Sequence, residues 1–99
     1  MSLYYFHLRD SDETVLDTEG RELDGIEEIA AAALLEARGI LSVDVLRGEL
    51  LLDQAIEVED KAGRIVHHLP FIDAIRIVWP NFHNEPVAAN GSSTPSPLF

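Results

Sequence analysis

The chain has 99 residues, of which 46% are hydrophobic and 25% charged, and this is the balance of one ordinary globular domain. It contains no cysteine, which excludes disulfide frameworks, thiolate nucleophiles and cysteine-based zinc or iron–sulfur sites. No apolar run approaches the roughly 18 residues of a membrane span, and the N-terminus lacks signal-peptide features, so we expect a cytoplasmic protein without membrane contact.

The net charge is −11, from 18 acidic and 7 basic side chains, and the basic residues are spread singly along the chain. Phosphate backbones repel such a surface unless basic residues cluster somewhere. We therefore expect no direct binding of nucleic acid, and a basic protein or a cation is the natural partner.

Two short strands are predicted first. Residues 3–9 are rich in aromatic side chains and are followed by a polar turn, which is typical of a strand that ends at a loop. Residues 14–17 offer a second strand, which ends before Gly20, where glycine can adopt the positive φ of a tight turn. The two strands are expected to form a hairpin.

A long helix is predicted next, because apolar residues recur at spacings of three and four from Asp24 onward: Ile26, Ile29, Ala30, Ala33, Ala37, Ile40 and Leu41. Asp24 is expected to cap its start, with Glu27 as the capping-box partner, and Gly48 is a natural stop. Further apolar residues widen the stripe beyond one face: Leu34, Leu35, Val43 and Leu46. The helix either lies deep in the domain or contacts a second copy, and we expect a homodimer.

Residues 54–59 and 64–69 alternate with period two around a turn, which predicts a second hairpin. Pro70 ends its strand, and residues 71–79 are either a helical turn or a fifth strand. The sequence predicts an α+β domain over residues 1–83, with a small, mostly antiparallel sheet in the order β-β-α-β-β and one long helix on one face. Residues 84–99, rich in Pro, Ser, Asn and Gly, are predicted to form a flexible tail.

Motifs along most of the chain carry a resemblance to a known family. They are Tyr4-Tyr5-Phe6-His7-Leu8-Arg9-Asp10, Asp17-Thr18-Glu19-Gly20-Arg21-Glu22-Leu23, an alanine-rich helix, Ile56-Glu57-Val58, Gly63-Arg64 and Leu69-Pro70-Phe71. Together they resemble a group of short alphaproteobacterial proteins described as a domain of unknown function, over about residues 3–78. The resemblance implies no activity. The His67-His68 pair departs from the pattern of that group, so any role for these histidines would belong to this chain.

A looser similarity is topological. The order of strand, acidic turn, strand and alanine-rich helix resembles the partly degenerate RNase-H-like domain of HicB-type antitoxins. The glycine and proline signature expected between the second strand and the helix is reduced to Leu23-Asp24-Gly25. This similarity implies an antitoxin-like regulator that binds a basic toxin.

Nine acidic residues lie between Asp10 and Glu28 against the single Arg21. Clustered carboxylates suit a basic protein surface or hard cations, although the spacing does not match an EF-hand. The alternative is a solvated turn followed by helix-capping acids. The candidate partner-binding residues are Asp10, Asp12, Glu13, Asp17 and Glu19.

His7 lies in the first predicted strand and His67-His68 in the fourth. If those strands are neighbours, His7, His67 and Asp10 are candidates for a metal or acid–base site. Adjacent strand residues point to opposite faces, so only one member of the pair can join His7, and a buried, hydrogen-bonded histidine is the other interpretation.

Phosphate-binding glycine loops and nucleophile elbows are missing from the sequence, so we expect no nucleotide or other cofactor and no catalytic triad. The sequence favours a non-enzymatic protein-interaction module. The alternatives are an antitoxin-like regulator and a metal-dependent enzyme that uses His7, His67 and carboxylates of the acidic turn.

Overall fold

The computed structural model describes residues 1–81, which form a sheet with one helix packed on it. The elements in chain order are β1 (Ser2–Arg9), β2 (Thr14–Val15), β3 (Arg21–Leu23), α1 (Ile26–Leu46), β4 (Ala55–Asp60), β5 (Ile65–Pro70) and a 3₁₀ turn (Phe71–Asp73). The α+β class predicted from the sequence is confirmed. The tail predicted over residues 84–99 lies outside the described residues.

All strand pairs are antiparallel, and β1 lies near the centre of the sheet. The order is β2-β1-β4-β5, and β3 also pairs with β1. One edge of β1 pairs with β4. The other edge is shared: β2 pairs with the last two residues of β1, and β3 pairs with the first three residues of β1. The middle of this edge has no strand partner, and this gap positions the loop described below.

The core lies between α1 and one face of the sheet. Every second residue of a strand faces the same side, so the sheet contributes Phe6, Ile56, Val58 and Leu69. The helix contributes one residue per turn: Ile29, Ala33, Ala37 and Leu41. The two alanines are fully buried and leave little side chain between the helix backbone and the sheet. Phe71 and Ala74, after β5, complete the cluster.

The start of α1 differs from the prediction. The helix begins at Ile26 with Gly25 in the N-cap position, and no side chain caps it. Asp24 lies one residue too early to be the cap, and its own N–H donates to Glu28 Oε1 at 2.8 Å. The expected Asp24–Glu27 capping box is therefore wrong, and Glu28 supplies half of such an arrangement in its place.

The predicted stop at Gly48 is confirmed. α1 ends at Leu46, and Gly48 adopts φ +87°. The Gly48 N–H donates to the Val45 carbonyl, and the Glu49 N–H donates to the Asp44 carbonyl, each at 2.9 Å. These two bonds form a Schellman motif, which satisfies carbonyls that the last helical turn leaves free.

The second predicted hairpin is confirmed with strand bounds shifted by one residue, to Ala55–Asp60 and Ile65–Pro70. Its turn is held by the Asp60 carboxylate, which accepts the N–H groups of Ala62 and Arg64 at 2.9 Å each. A bulge interrupts the ladder between Val58 and Glu59.

Two expectations about the remaining segments are corrected or settled. The second strand contains only Thr14–Val15, and β3 was not predicted. Of the two alternatives for residues 71–79, the structure has the helical turn. Phe71–Asp73 form a 3₁₀ turn, and residues 75–79 have no regular structure and add no strand after β5. Within residues 1–81, no helix is long and apolar enough to span a membrane.

Candidate functional site

The acidic turn after β1 is organised by Asp10. Its Oδ1 accepts the N–H groups of Asp12 and Glu13 at 2.8 and 2.9 Å, and the Asp10 N–H donates to the Glu13 carbonyl. The bonds from Glu13 and Asp12 hold the pKa of the Asp10 carboxyl below its usual 3.8. Asp10 therefore shapes the turn, whereas the side chains of Asp12 and Glu13 are exposed.

Asp17 fills the gap on the edge of β1. Its Oδ2 accepts the Phe6 N–H at 3.0 Å, in the position where a neighbouring strand would supply a carbonyl. Its Oδ1 accepts the N–H groups of Glu19 and Gly20 at 3.1 and 3.2 Å. One carboxylate thus connects the loop of residues 16–20 to the middle of the sheet, and Asp17 is a structural residue rather than a free docking group.

The charge state of Asp17 follows from these contacts. Partial burial alone would raise the pKa of its carboxyl. The N–H groups of Phe6, Gly20 and Glu19 act in the opposite direction, as does the positive charge of Arg21. The net result is a pKa below 3.8, so Asp17 is ionised at neutral pH and its hydrogen bonds are charge-assisted.

His7 holds the same loop from the sheet side. Its Nδ1 lies 3.0 Å from the Asp17 backbone nitrogen, and its Nε2 lies 2.8 Å from Glu59 Oε1. A backbone N–H can only donate, so Nδ1 must accept and the ring proton is on Nε2. The ring is nine-tenths buried and stacks on Tyr5 at 6.4 Å between centroids. His7 is thus a buried histidine with both nitrogens engaged.

Gly20 closes the Asp17 loop in a conformation that other residues rarely adopt. It has φ +75°, and a Cβ there would lie 3.0 Å from both Leu3 Cδ1 and the Tyr4 carbonyl oxygen. We expect Gly20→Ala to lower the free energy of unfolding by about 1–3 kcal/mol, measured by urea denaturation. Gly39→Ala is the control: the helix there has open space, so the change should be neutral or slightly stabilising. Equal effects would contradict strain at Gly20.

A second polar network lies on the sheet face opposite α1. Glu57 contacts Arg9 Nε at 3.4 Å and His68 Nδ1 at 3.3 Å. It lies directly across from both His7 and His68 in the ladders, so all three share this face. The Glu57 side chain is largely buried. Glu57 thus contacts a guanidinium and an imidazole, and Glu59 on the same face contacts the imidazole of His7.

The structure does not bring together the three predicted metal ligands. His67 pairs with Val58, whose side chain lies in the core, so His67 is on the opposite face from His7. His68 is the member of the pair that shares the face of His7, and the Asp10 carboxylate is occupied by its own turn. Within residues 1–81, no group of three or more His, Asp or Glu side chains is arranged to hold a metal ion.

The family assignment rests on the same segment that builds this fold. A family described as "Domain of unknown function (DUF6894)" matches residues 3–72. The chain belongs to this family. The DUF6894 match includes the helix, the buried Phe71 and, apart from Ser2, every strand of the described residues, so it covers the sheet and nearly all of its core. No curated protein and no solved structure matches the chain.

One end of this DUF6894 domain combines free acids with exposed apolar residues. Arg9 pairs with Ala55, so the turn after β1 and the loop before β4 lie at the same end of the sheet. Asp12 and Glu13 are exposed in the turn. A shallow concavity of about 600 Å³ is lined by Val45 near the end of α1 and by Gly48, Glu49 and Leu50 of this loop. Of the predicted acids, Glu19 is also exposed, but it lies in the loop beside the middle of β1.

Sequence reasoning missed most of this arrangement. It found the acids but not which of them are structural, and it did not single out the exposed apolar loop. A local signal existed for Asp17, because an aspartate in a loop often accepts the backbone N–H groups two and three residues further along the chain, as in an Asx turn. The bond from Phe6 to Asp17 joins residues 11 positions apart, and no local signal predicts it.

Proposed function

We propose that the protein is a non-enzymatic interaction module that binds a basic, amphipathic segment of a partner protein. The docking end consists of Asp12, Glu13, Glu49, Leu50 and Leu51. The observation that carries the proposal is that these acidic and apolar side chains are all exposed at one end of the sheet. An antitoxin-like regulator would use the same surface, since a basic toxin is one partner of this chemistry.

The apolar half of the docking end supplies affinity. Leu50 and Leu51 are 46% and 41% exposed, and Val45 and Leu46 at the end of α1 are more exposed still. Covering such surface is worth about 25 cal/mol per Å² removed from water. Val45 and Leu50 line the concavity, and exposed apolar residues that are grouped rather than scattered singly favour a partner that covers them.

The acidic half supplies direction and selectivity. Asp12, Glu13 and Glu49 have no cationic partner among residues 1–81, and the chain as a whole carries −11. A basic segment is attracted to this surface, whereas an acidic segment with the same apolar residues is repelled. The two halves together suit a partner segment, helical or extended, that carries both apolar residues such as leucine and basic residues such as lysine.

A defined peptide pair tests the docking end. The probe is a labelled 18-residue amphipathic peptide of leucine and lysine, and its counterpart replaces each lysine by glutamate; binding is measured by fluorescence anisotropy at fixed salt. We expect Asp12→Asn with Glu13→Gln to weaken binding of the basic peptide roughly tenfold, because two charge contacts are lost. The glutamate peptide should not bind.

The matched control removes two charges from the other end of the sheet. Glu22→Gln with Asp24→Asn alters the net charge by the same amount, and Glu22 pairs with Leu3 near the start of β1. We expect less than a twofold change for this control. If both double variants weaken binding equally, the peptide responds to net charge alone and the docking end is not a site. Leu50→Ser should weaken binding in the acidic wild-type background, which separates the apolar contribution from the charge.

A further inference from the structure

The loop of residues 16–20 is attached to β1 by two side-chain hydrogen bonds. The Phe6 N–H donates to the Asp17 carboxylate, and the Asp17 N–H donates to His7 Nδ1, each at 3.0 Å. None of the five loop residues is buried, and Leu16 is 65% exposed. A segment with so little buried surface opens locally more easily than the core, so these two bonds largely decide how often the loop opens.

The bond to His7 requires a neutral ring. Nδ1 must offer its lone pair to the Asp17 N–H, so the single ring proton lies on Nε2, which is 2.8 Å from Glu59 Oε1. A second proton would bind at Nδ1, because Nε2 already carries one. Two N–H groups would then face each other across 3.0 Å, and the bond to Asp17 would be lost.

The other groups near the ring do not select between a closed and an open loop. The ionisable side chains around it are Tyr5 and Arg9 on β1, Glu57 and Glu59 on β4, His68 on β5, and Asp17 and Glu19 in the loop. Those on the strands keep their places when the loop opens, so they act equally on both states. Glu19 is exposed, and the Asp17 carboxylate already accepts three backbone N–H groups. The direct contact at Nδ1 therefore decides which protonation state the closed loop binds.

We propose that protonation of His7 releases one of the two attachments of this loop, so that residues 16–20 open more often as the pH falls below neutral. Histidine is the side chain that ordinarily changes charge between about pH 5 and pH 8. The closed loop binds the neutral ring, so the contact is present at the upper end of this range and weakens as the ring takes up its proton. Asp17 stays ionised throughout, because its pKa lies below 3.8, and its bond from Phe6 remains as the second attachment.

The same loop forms one wall of a cavity between the sheet edge and α1. The cavity has a volume of about 350 Å³, and its lining includes Leu16, Asp17 and Gly20 from the loop and Ile40 from α1. Phe6, which belongs to the core, also lines it. Each opening of the loop therefore exposes this part of the core to solvent, and the protonation of His7 sets how often that happens.

Two measurements on the wild-type chain test the proposal. Hydrogen–deuterium exchange of residues 16–20, corrected for the intrinsic effect of pH, is compared with the ring ¹⁵N shifts of His7 from about pH 8 to about pH 5. We expect the ring proton on Nε2 at the upper pH, and loop protection about tenfold lower at the lower pH, with the same midpoint as the ring. Protection that stays constant or rises as the pH falls would overturn the proposal, as would a ring that remains neutral over the whole range.

A pair of variants assigns the effect to one histidine. His7→Asn keeps an acceptor, because asparagine Oδ1 takes the place of Nδ1, but it takes up no proton in this pH range. We expect it to give the same loop protection at both ends of the range. His68→Asn is the matched control: this half-exposed histidine shares the sheet face, but β4 separates it from β1, so the wild-type pH response should persist. A wild-type response in His7→Asn, or a lost response in His68→Asn, would contradict the role of His7.

Discussion

Phe71→Ala is expected to lower the free energy of unfolding by about 3–5 kcal/mol, the usual cost of removing a buried phenylalanine. Phe71 is fully buried and is among the largest of the completely enclosed side chains. Its backbone N–H also donates to the Gln54 carbonyl at 2.8 Å, which leaves the ring little freedom to adjust. Domains of this size are stable by only about 5–10 kcal/mol, so the variant should lose at least about a third of its stability.

The neighbouring residue is the control for this prediction. Ile72 is 46% exposed, so Ile72→Ala should cost less than about 1 kcal/mol. Urea denaturation followed by circular dichroism measures both variants against the wild type. Similar midpoints for the two variants would contradict the placement of Phe71 under α1.

Asp17→Asn is expected to lower the free energy of unfolding by about 1–3 kcal/mol at neutral pH, because charge-assisted hydrogen bonds are lost. Asparagine keeps one oxygen that can accept a hydrogen bond. Its NH₂ group would replace the second carboxylate oxygen and would face backbone N–H groups, and two donors cannot bond to each other. Either the bond from Phe6 or the bonds from Glu19 and Gly20 must then be broken. The loop of residues 16–20 should exchange its amide hydrogens faster in the variant.

The pH dependence distinguishes this effect from general damage. The pKa of Asp17 is lower in the folded protein than its ordinary value of 3.8, so its contribution to stability is fully present above about pH 4. That contribution is lost as the pH falls through the folded-state pKa, and the stabilities of wild type and Asp17→Asn should converge there. Asp12→Asn is the control, because that side chain is exposed and should change stability little. A constant difference at all pH values would contradict the ionised bond network.

Periodicity predicted the elements whose structure is local. The alternation in residues 54–69 identified β4 and β5, because each strand has one buried face and a turn held by Asp60. The spacing of apolar residues identified α1, and Gly48 identified its end. In these segments the pattern of burial repeats with the period of the backbone, so a single sequence contains the information.

The parts that were missed depend on contacts between distant segments. β3 has only three residues and pairs with the start of β1, so it shows no period of its own. The choice between His67 and His68 depends on the register of β5 against β4 and of β4 against β1. A shift by one residue moves every side chain to the other face, and no local signal fixes that register.

The carboxylate of Asp17 has a consequence for how the sheet meets other chains. It occupies the N–H of Phe6, the donor that an incoming peptide strand would need in the middle of the β1 edge. The opposite border, β5, has a bulge toward one end and a proline, which lacks an N–H, at the other. Both borders are therefore poorly suited to β-augmentation and amyloid-like stacking. Within residues 1–81, the borders of the sheet therefore favour contacts made by side chains over the addition of further strands.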